Sequence, residues 1–194
     1  MPPFVLHAFF VANTGSRHMD IGVGTGLFPA VYRDEMQHEG KQWPQQLTLV
    51  DMNTACLDKA AARMNCPEKT TVLQADIFEP IPVPAETKFD SITLMYLLHC
   101  LPPPSERKST VFAHLKDNLT PERTLFGATV LGQEVHHNWI GRLWIMLYNW
   151  KGIFHNVDDT AQAFVKSLEL ELEEVDANVV GVVLLFRARN SRLP

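Results

Sequence analysis

The run Asp20-Ile21-Gly22-Val23-Gly24-Thr25-Gly26 constrains this chain more than any other stretch. Three glycines at alternate positions, entered from a short apolar run and left through Leu27, Ala30 and Val31, predict a strand that turns sharply into a helix. Glycine is needed where φ is positive or where another molecule touches the backbone. Such a turn brings main-chain N–H groups and a helix N-terminus to the rim of a cavity. The spacing is not the dinucleotide fingerprint G-x-G-x-x-G, because the sixth position is Leu27 and the third glycine comes one residue early. Taken alone, the stretch also fits a purely structural strand-helix turn.

The chain beyond it alternates in character. Leu27 to Glu39 is expected to be helical, with Pro29 tolerated in the first turn and Gly40 at the exit. Leu47 to Asp51 reads as a buried strand ending in an acid; Asn53 then caps a helix whose Leu57, Ala60, Ala61 and Met64 share one face. Thr71 to Ala75 and Phe89 to Met95 are the third and fourth strands, Ser105 caps the next helix, and Thr124 to Leu131 is the fifth strand. Trp139 to Trp150 carries a broad apolar stripe and is expected to be a core or pocket helix. Leu170 and Leu172 alternate with glutamates, whereas Val179 to Phe186 is continuously apolar. The short link Asp176-Ala177-Asn178 therefore predicts an antiparallel hairpin. Alternating strands and helices predict a parallel sheet, closed by that hairpin.

In doubly wound sheets ligands sit outside the carboxyl ends of the strands, where the order reverses. Here those ends carry the glycine turn, Asp51, Asp76-Ile77 and Tyr96-Leu97-Leu98-His99. Asp51 can accept both ribose hydroxyls of a nucleoside as charge-assisted bonds, or serve as a cap; nicotinamide enzymes also place an acid there. Asp76 can equally be a turn-forming residue, and Asp20 a strand-end acid bonded to local amides.

The set resembles the D-x-G-x-G-x-G signature and strand ends of class I S-adenosylmethionine (SAM)-dependent methyltransferases, over Met19 to Arg189. It looks closest to the small-molecule enzymes of microbial secondary metabolism. The resemblance implies a Rossmann-like, doubly wound, seven-stranded α/β sheet and a single domain over residues 1–194. It further implies SAM as cofactor, bound by Asp20, Gly22, Gly24, Gly26, Asp51, Met52, Asp76, Ile77 and Tyr96. Asp76 would receive the adenine amino group, Ile77 the ring, and Asp20 would lie near the amino-acid end. The expected activity is methyl transfer to a small hydrophobic or aromatic acceptor. The alternatives are another SAM-dependent reaction, such as cyclisation or elimination, or a non-catalytic binding subunit. Departures are Pro121-Glu122-Arg123 where the family has Pro-Gly-Gly, the polar Ser16-Arg17-His18 ahead of Asp20, and only nineteen residues before that acid, so that residues 1–18 are expected to lack most of the helical lid. Methyl transfer to an activated sulfonium needs positioning above all, with no metal. A protonated acceptor gains from a base, for which His99, His136 and His137 are the candidates, each also readable as a cap or surface residue.

A net charge of −5 argues against a broad nucleic-acid footprint. Cys56, Cys66 and Cys100 lack metal or C-x-x-C spacing, so reduced thiols and a cytoplasmic location are expected. Phe4 to Ala12 has no preceding basic residue and no small-x-small cleavage site, which disfavours a signal peptide, and no run is long enough to span a membrane. Trp139, Trp144 and Tyr148 are candidates for an aromatic pocket. The apolar N-terminal segment, with the Trp139 to Trp150 helix, suggests a homodimer or a mobile cover.

Overall fold

Continuous runs such as Leu47-Thr48-Leu49-Val50 have no side to present to water, and the fold buries both of their faces. The computed structural model describes residues 2–191. It contains β1 (Arg17–Ile21), β2 (Gln46–Asp51), β3 (Thr70–Gln74), β4 (Phe89–Met95), β5 (Leu119–Val130), β6 (Leu172–Val180) and β7 (Val183–Ser191). They form one seven-stranded sheet in the order β3-β2-β1-β4-β5-β7-β6. The first five strands run parallel, and β7 is antiparallel to both its neighbours. The order reverses between β1 and β4, so the crevice for a ligand lies at their carboxyl ends.

Helices cover both faces. α1 (Pro3–Asn13), α2 (Leu27–His38) and α3 (Thr54–Met64) bury Leu6, Phe10, Ala30, Tyr32, Leu57, Ala60 and Met64 in one hydrophobic cluster. α4 (Ser105–Lys116) and α6 (Ala161–Glu171) bury Val111, Phe112, Leu115, Phe164 and Leu168 in the other. As expected, Asn53 caps α3, accepting a bond from the Ala55 amide at 3.0 Å. No helix among the described residues is long and apolar enough to cross a membrane.

Four local expectations shift. The hairpin turns at Gly181-Val182, not at residues 176–178, with Val180 paired to Val183; Leu170 belongs to α6. Residues 176–178 are polar because β6 is an edge strand facing water: Asp176 pairs with Arg187 across the hairpin. Ser105 does not cap α4; its hydroxyl donates to Asp159 Oδ1 at 3.0 Å. β1 starts at Arg17, and His18 is tolerated within it as a neutral ring. Its Nδ1 lies 2.7 Å from Ser91 Oγ, and burial pulls its pKa down to about 3. α5 (Trp139–Trp150) is not a core helix, since none of its residues is buried. It is tethered by stacking of Tyr148 on Phe154, with ring centres 4.9 Å apart.

The N-terminal segment is a helix laid on its own sheet. Phe10 meets Phe28, Tyr32 and Phe126 at 5.6 to 6.0 Å, and Phe9 also reaches Phe126. Edge-to-face and stacked contacts of this kind add about 0.5 to 1.5 kcal/mol each beyond area burial. The apolar cluster is thus engaged within the chain instead of being offered whole to a second copy.

Candidate active site

Main-chain bonds shape the glycine turn first. The Gly22 and Val23 amides donate to the Val50 carbonyl at 2.8 and 3.3 Å, and Gly26 to Val23 at 2.9 Å. Gly26 has φ +67°, and a Cβ there would stand 2.8 Å from the Ala60 Cα, so only glycine lets α2 approach α3. Gly24 differs. At φ +54° a Cβ would meet nothing within 4 Å, so that side of the turn faces open space.

The acids at the ends of β2 and β3 brace their own turns. Asp51 accepts from the Gly24 amide at 3.1 Å with Oδ2 and from the Asn53 amide at 2.9 Å with Oδ1. Asp76 Oδ1 accepts from the Phe78 amide at 3.0 Å, an Asx turn. A carboxylate has about four acceptor directions, so both acids keep capacity for a ligand. Gly22, Asp51, Met52, Asp76 and Ile77 line one cavity of about 360 Å³. Ile77 is buried, while Met52 is mostly exposed.

Asp20, next to the turn, is 3% exposed, and no described group donates a hydrogen bond to its carboxyl. Burial, and secondarily the charge of Asp51, push its pKa up to about 8. A buried acid in this state favours a cationic partner. Tyr96 follows β4 in the left-handed region at φ +59°, a costly conformation for a bulky side chain. It lines not this cavity but a neighbouring groove.

The three histidines lie apart from one another in their surroundings. His99 is buried; its Nδ1 lies 3.3 Å from Thr129 Oγ1 and accepts from the Val130 amide at 3.4 Å. Burial, then the positive Lys108, pulls its pKa down to about 4, so the ring is a neutral packing element and a weak proton acceptor. Phe154 meets it edge-on at 4.5 Å. His137 donates from Nε2 to the Leu131 carbonyl at 3.1 Å, and His136 is exposed just before α5. Residues that sequence reasoning missed include Phe78 and Arg107, both lining the cavity; the Arg107 guanidinium lies 4.4 Å over the Phe78 ring. Nothing in the spacing of Arg107 on α4 marks it, since a lone arginine in a first turn usually faces water.

Residues 1–180 match the family described as methyltransferase domain. This chain belongs to the methyltransferase domain family. The methyltransferase is 47% identical over 186 residues to methyltransferase verB of Penicillium polonicum, covering 93% of this chain and 82% of that protein. It is 40% identical over 186 residues to the physcion biosynthesis cluster O-methyltransferase of Aspergillus chevalieri, covering 95% and 79%. Among solved structures it is similar to the N-methyltransferase NodS from Bradyrhizobium japonicum WM9 in complex with S-adenosyl-L-homocysteine. The TM-score is 0.67 at 17% identity, with 97% of this chain and 88% of that chain covered; at that identity the likeness is one of fold.

Proposed function

We propose that this methyltransferase transfers the methyl group of SAM to a small, apolar or aromatic acceptor in secondary metabolism. The observation that carries the reading is the convergence of Gly22, Asp51, Asp76 and Ile77 on one cavity, beside a buried, unpartnered Asp20. SAM fits this set by its chemistry: an adenosine to one side, and a positively charged sulfonium and ammonium on the other. When bound, it supplies a methyl group already activated for in-line displacement. Asp51 and Asp76 orient the nucleoside through their spare acceptor sites, and Ile77 and Met52 flank it. The turn leaves room for close approach at Gly24, Asp20 answers the cationic end, and Tyr96 stands between cofactor and acceptor. The acceptor is a small molecule and not a nucleic acid, in keeping with the net charge of −5. Three free cysteines suit the reducing cytoplasm. Of His99, His136 and His137, His99 acts as a packing element behind Tyr96 and not as a base, because its ring is buried and neutral.

Titration calorimetry with SAM, S-adenosylhomocysteine and NAD tests this reading. Binding of the first two without NAD is expected; tight NAD binding with no response to S-adenosylhomocysteine would overturn it.

Asp20 adds a proton signature. Its pKa is about 8 in the free protein, and a bound cation lowers it, so binding near pH 7 should release roughly one proton. Affinity should therefore rise with pH and level off above pH 8. Calorimetry of SAM binding in buffers of different ionisation enthalpy measures the release, and Asp20→Asn should abolish it. Equal heats in all buffers for the parent would show that Asp20 does not meet the cation.

A further inference from the structure

α5 leaves an apolar face uncovered. At about 100° per residue, Trp139, Leu143, Met146 and Trp150 fall within about 60° of one another on its outer side. All four are exposed, and Ile140 and Trp144 widen the stripe along one flank. The opposite side is fastened down. Tyr148 stacks on Phe154, and Asn149 Nδ2 donates to Oδ1 of the buried Asn156 at 2.9 Å. Asn156 Nδ2 in turn donates to the Val130 carbonyl of β5 at 3.0 Å. The inner face is thus fixed to the sheet, and the outer one is left to the surroundings. Apolar side chains exposed singly need no explanation, whereas a contiguous stripe marks an interaction surface.

Charge says what covers it. From Val135 to Val157 there is no carboxylate, although the whole chain carries a net charge of −5. Arg142 and Lys151 lie on opposite flanks of the stripe, both exposed and neither ion-paired to a described residue. The nearest acids in sequence, Glu134 and Asp158, stand in the loops beyond the helix. A helix that is apolar and rich in tryptophan on one side, and edged by cations, suits the plane of a bilayer at headgroup level. Tryptophan favours that depth because its ring is apolar and its N–H polar. With 12 residues α5 is about 18 Å long, too short to cross a hydrocarbon core of ~30 Å, so it lies flat. Pairing of α5 with α5 of a second copy fits less well. Two-fold symmetry would bring Arg142 and Lys151 of both copies onto a face with no acid to answer them.

We propose that α5 docks the protein on a bilayer surface rich in anionic lipid. Trp139, Leu143, Met146 and Trp150 sink to the boundary of headgroups and acyl chains, and Arg142 and Lys151 meet the lipid phosphates. The cytoplasmic leaflet supplies that negative charge. The helix is already folded and fastened, so docking orders few groups beyond the side chains of the stripe. It also orients the molecule. A ladder of ring contacts leads from Trp144 through Tyr148, Phe154 and His99 to Tyr96, with centres 4.5 to 5.9 Å apart. Docking therefore brings the carboxyl end of β4 near the lipid. On the methyl-transfer reading above, an apolar acceptor dissolved in the bilayer is thereby delivered beside the site; the docking itself does not depend on that reading.

Co-sedimentation of the full chain with lipid vesicles tests the proposal. Vesicles of equal parts phosphatidylcholine and phosphatidylserine should bind it roughly tenfold or more tighter than vesicles of phosphatidylcholine alone. Added salt should weaken binding to the mixed vesicles and not to the neutral ones. Met146→Ser with Trp150→Ser, both at exposed positions, should lower affinity for the mixed vesicles about tenfold or more. Arg142→Gln with Lys151→Gln should lower it about 10- to 30-fold and leave binding to phosphatidylcholine alone unchanged. Circular dichroism confirms that each variant is folded. Sedimentation velocity without lipid should give the parent and the Met146 and Trp150 double variant the same mass. No binding to the mixed vesicles, equal binding to both kinds, or parent-like binding by either double variant would overturn the proposal. So would a dimer that Met146→Ser with Trp150→Ser dissociates, since the stripe would then be a contact between two copies of this chain. Calorimetry with SAM on the same samples separates the two readings. SAM binding without lipid binding overturns this inference alone; lipid binding by a chain that binds no SAM overturns only the methyl-transfer reading.

Discussion

Asp159→Ala is expected to lower the stability of the folded chain by about 3 to 5 kcal/mol, because it strands a buried ammonium without its counter-charge. Lys108 on α4 is wholly buried. Its Nζ donates to both Asp159 carboxylate oxygens at 2.8 and 2.7 Å and to the His155 carbonyl at 2.7 Å. For a chain of this length the unfolding midpoint should fall by roughly 6 to 20 °C, which scanning calorimetry measures. A loss under about 1 kcal/mol would mean that the charge finds water or another partner. Replacing both at once, Lys108→Met with Asp159→Leu, should be far milder, since no lone charge is left. The effect extends toward the site. The Gly132 and Gln133 amides donate to the Asp159 carbonyl at 3.2 and 3.1 Å, and the His155 amide to the His99 carbonyl at 2.8 Å. The pair therefore holds a strap across the ends of β4 and β5, and with it Phe154 against His99.

Asp51→Ala should weaken SAM binding about 10- to 100-fold. Hydrogen bonds to a charged group are worth about 1.5 to 3 kcal/mol, and the substitution also frees the Gly24 amide that Asp51 holds. Asp51→Asn, which keeps one acceptor oxygen, should lose less. Calorimetry on the three proteins decides the matter. Parent-like affinity in Asp51→Ala would show that the acid serves only the turn.

What the chain disclosed in advance follows from how locally each feature is encoded. The glycine turn, β2, β4 and α3 depend on runs of adjacent residues: alternate glycines, unbroken apolar stretches, and a cap followed by apolar positions at helical spacing. The site residues Asp51, Asp76 and Ile77 could be named because they directly follow such strands. Features that depend on distant partners were hidden. Lys108 looks like any solvated helix lysine until Asp159 folds over it. The hairpin was misplaced because an edge strand can be as polar as a loop, so residues 176–178 gave the wrong signal while Gly181, at φ +66°, made the turn. The stripe on α5 misled for the opposite reason: apolar spacing says which face wants cover, not that the fold supplies it.

That helix has a spectroscopic consequence. Of the four tryptophans, Trp139, Trp144 and Trp150 stand on α5 at 77, 52 and 80% exposure, whereas Trp43 is buried, with its indole N–H bonded to the Gly15 carbonyl at 2.8 Å. The intrinsic fluorescence of the folded protein is therefore dominated by hydrated indoles and peaks at long wavelength before any denaturant is added. Unfolding moves it little, which makes emission a poor gauge of global stability here. The same arrangement makes it a label-free reporter of α5: whatever settles on that helix shields three indoles together and shifts the emission to the blue.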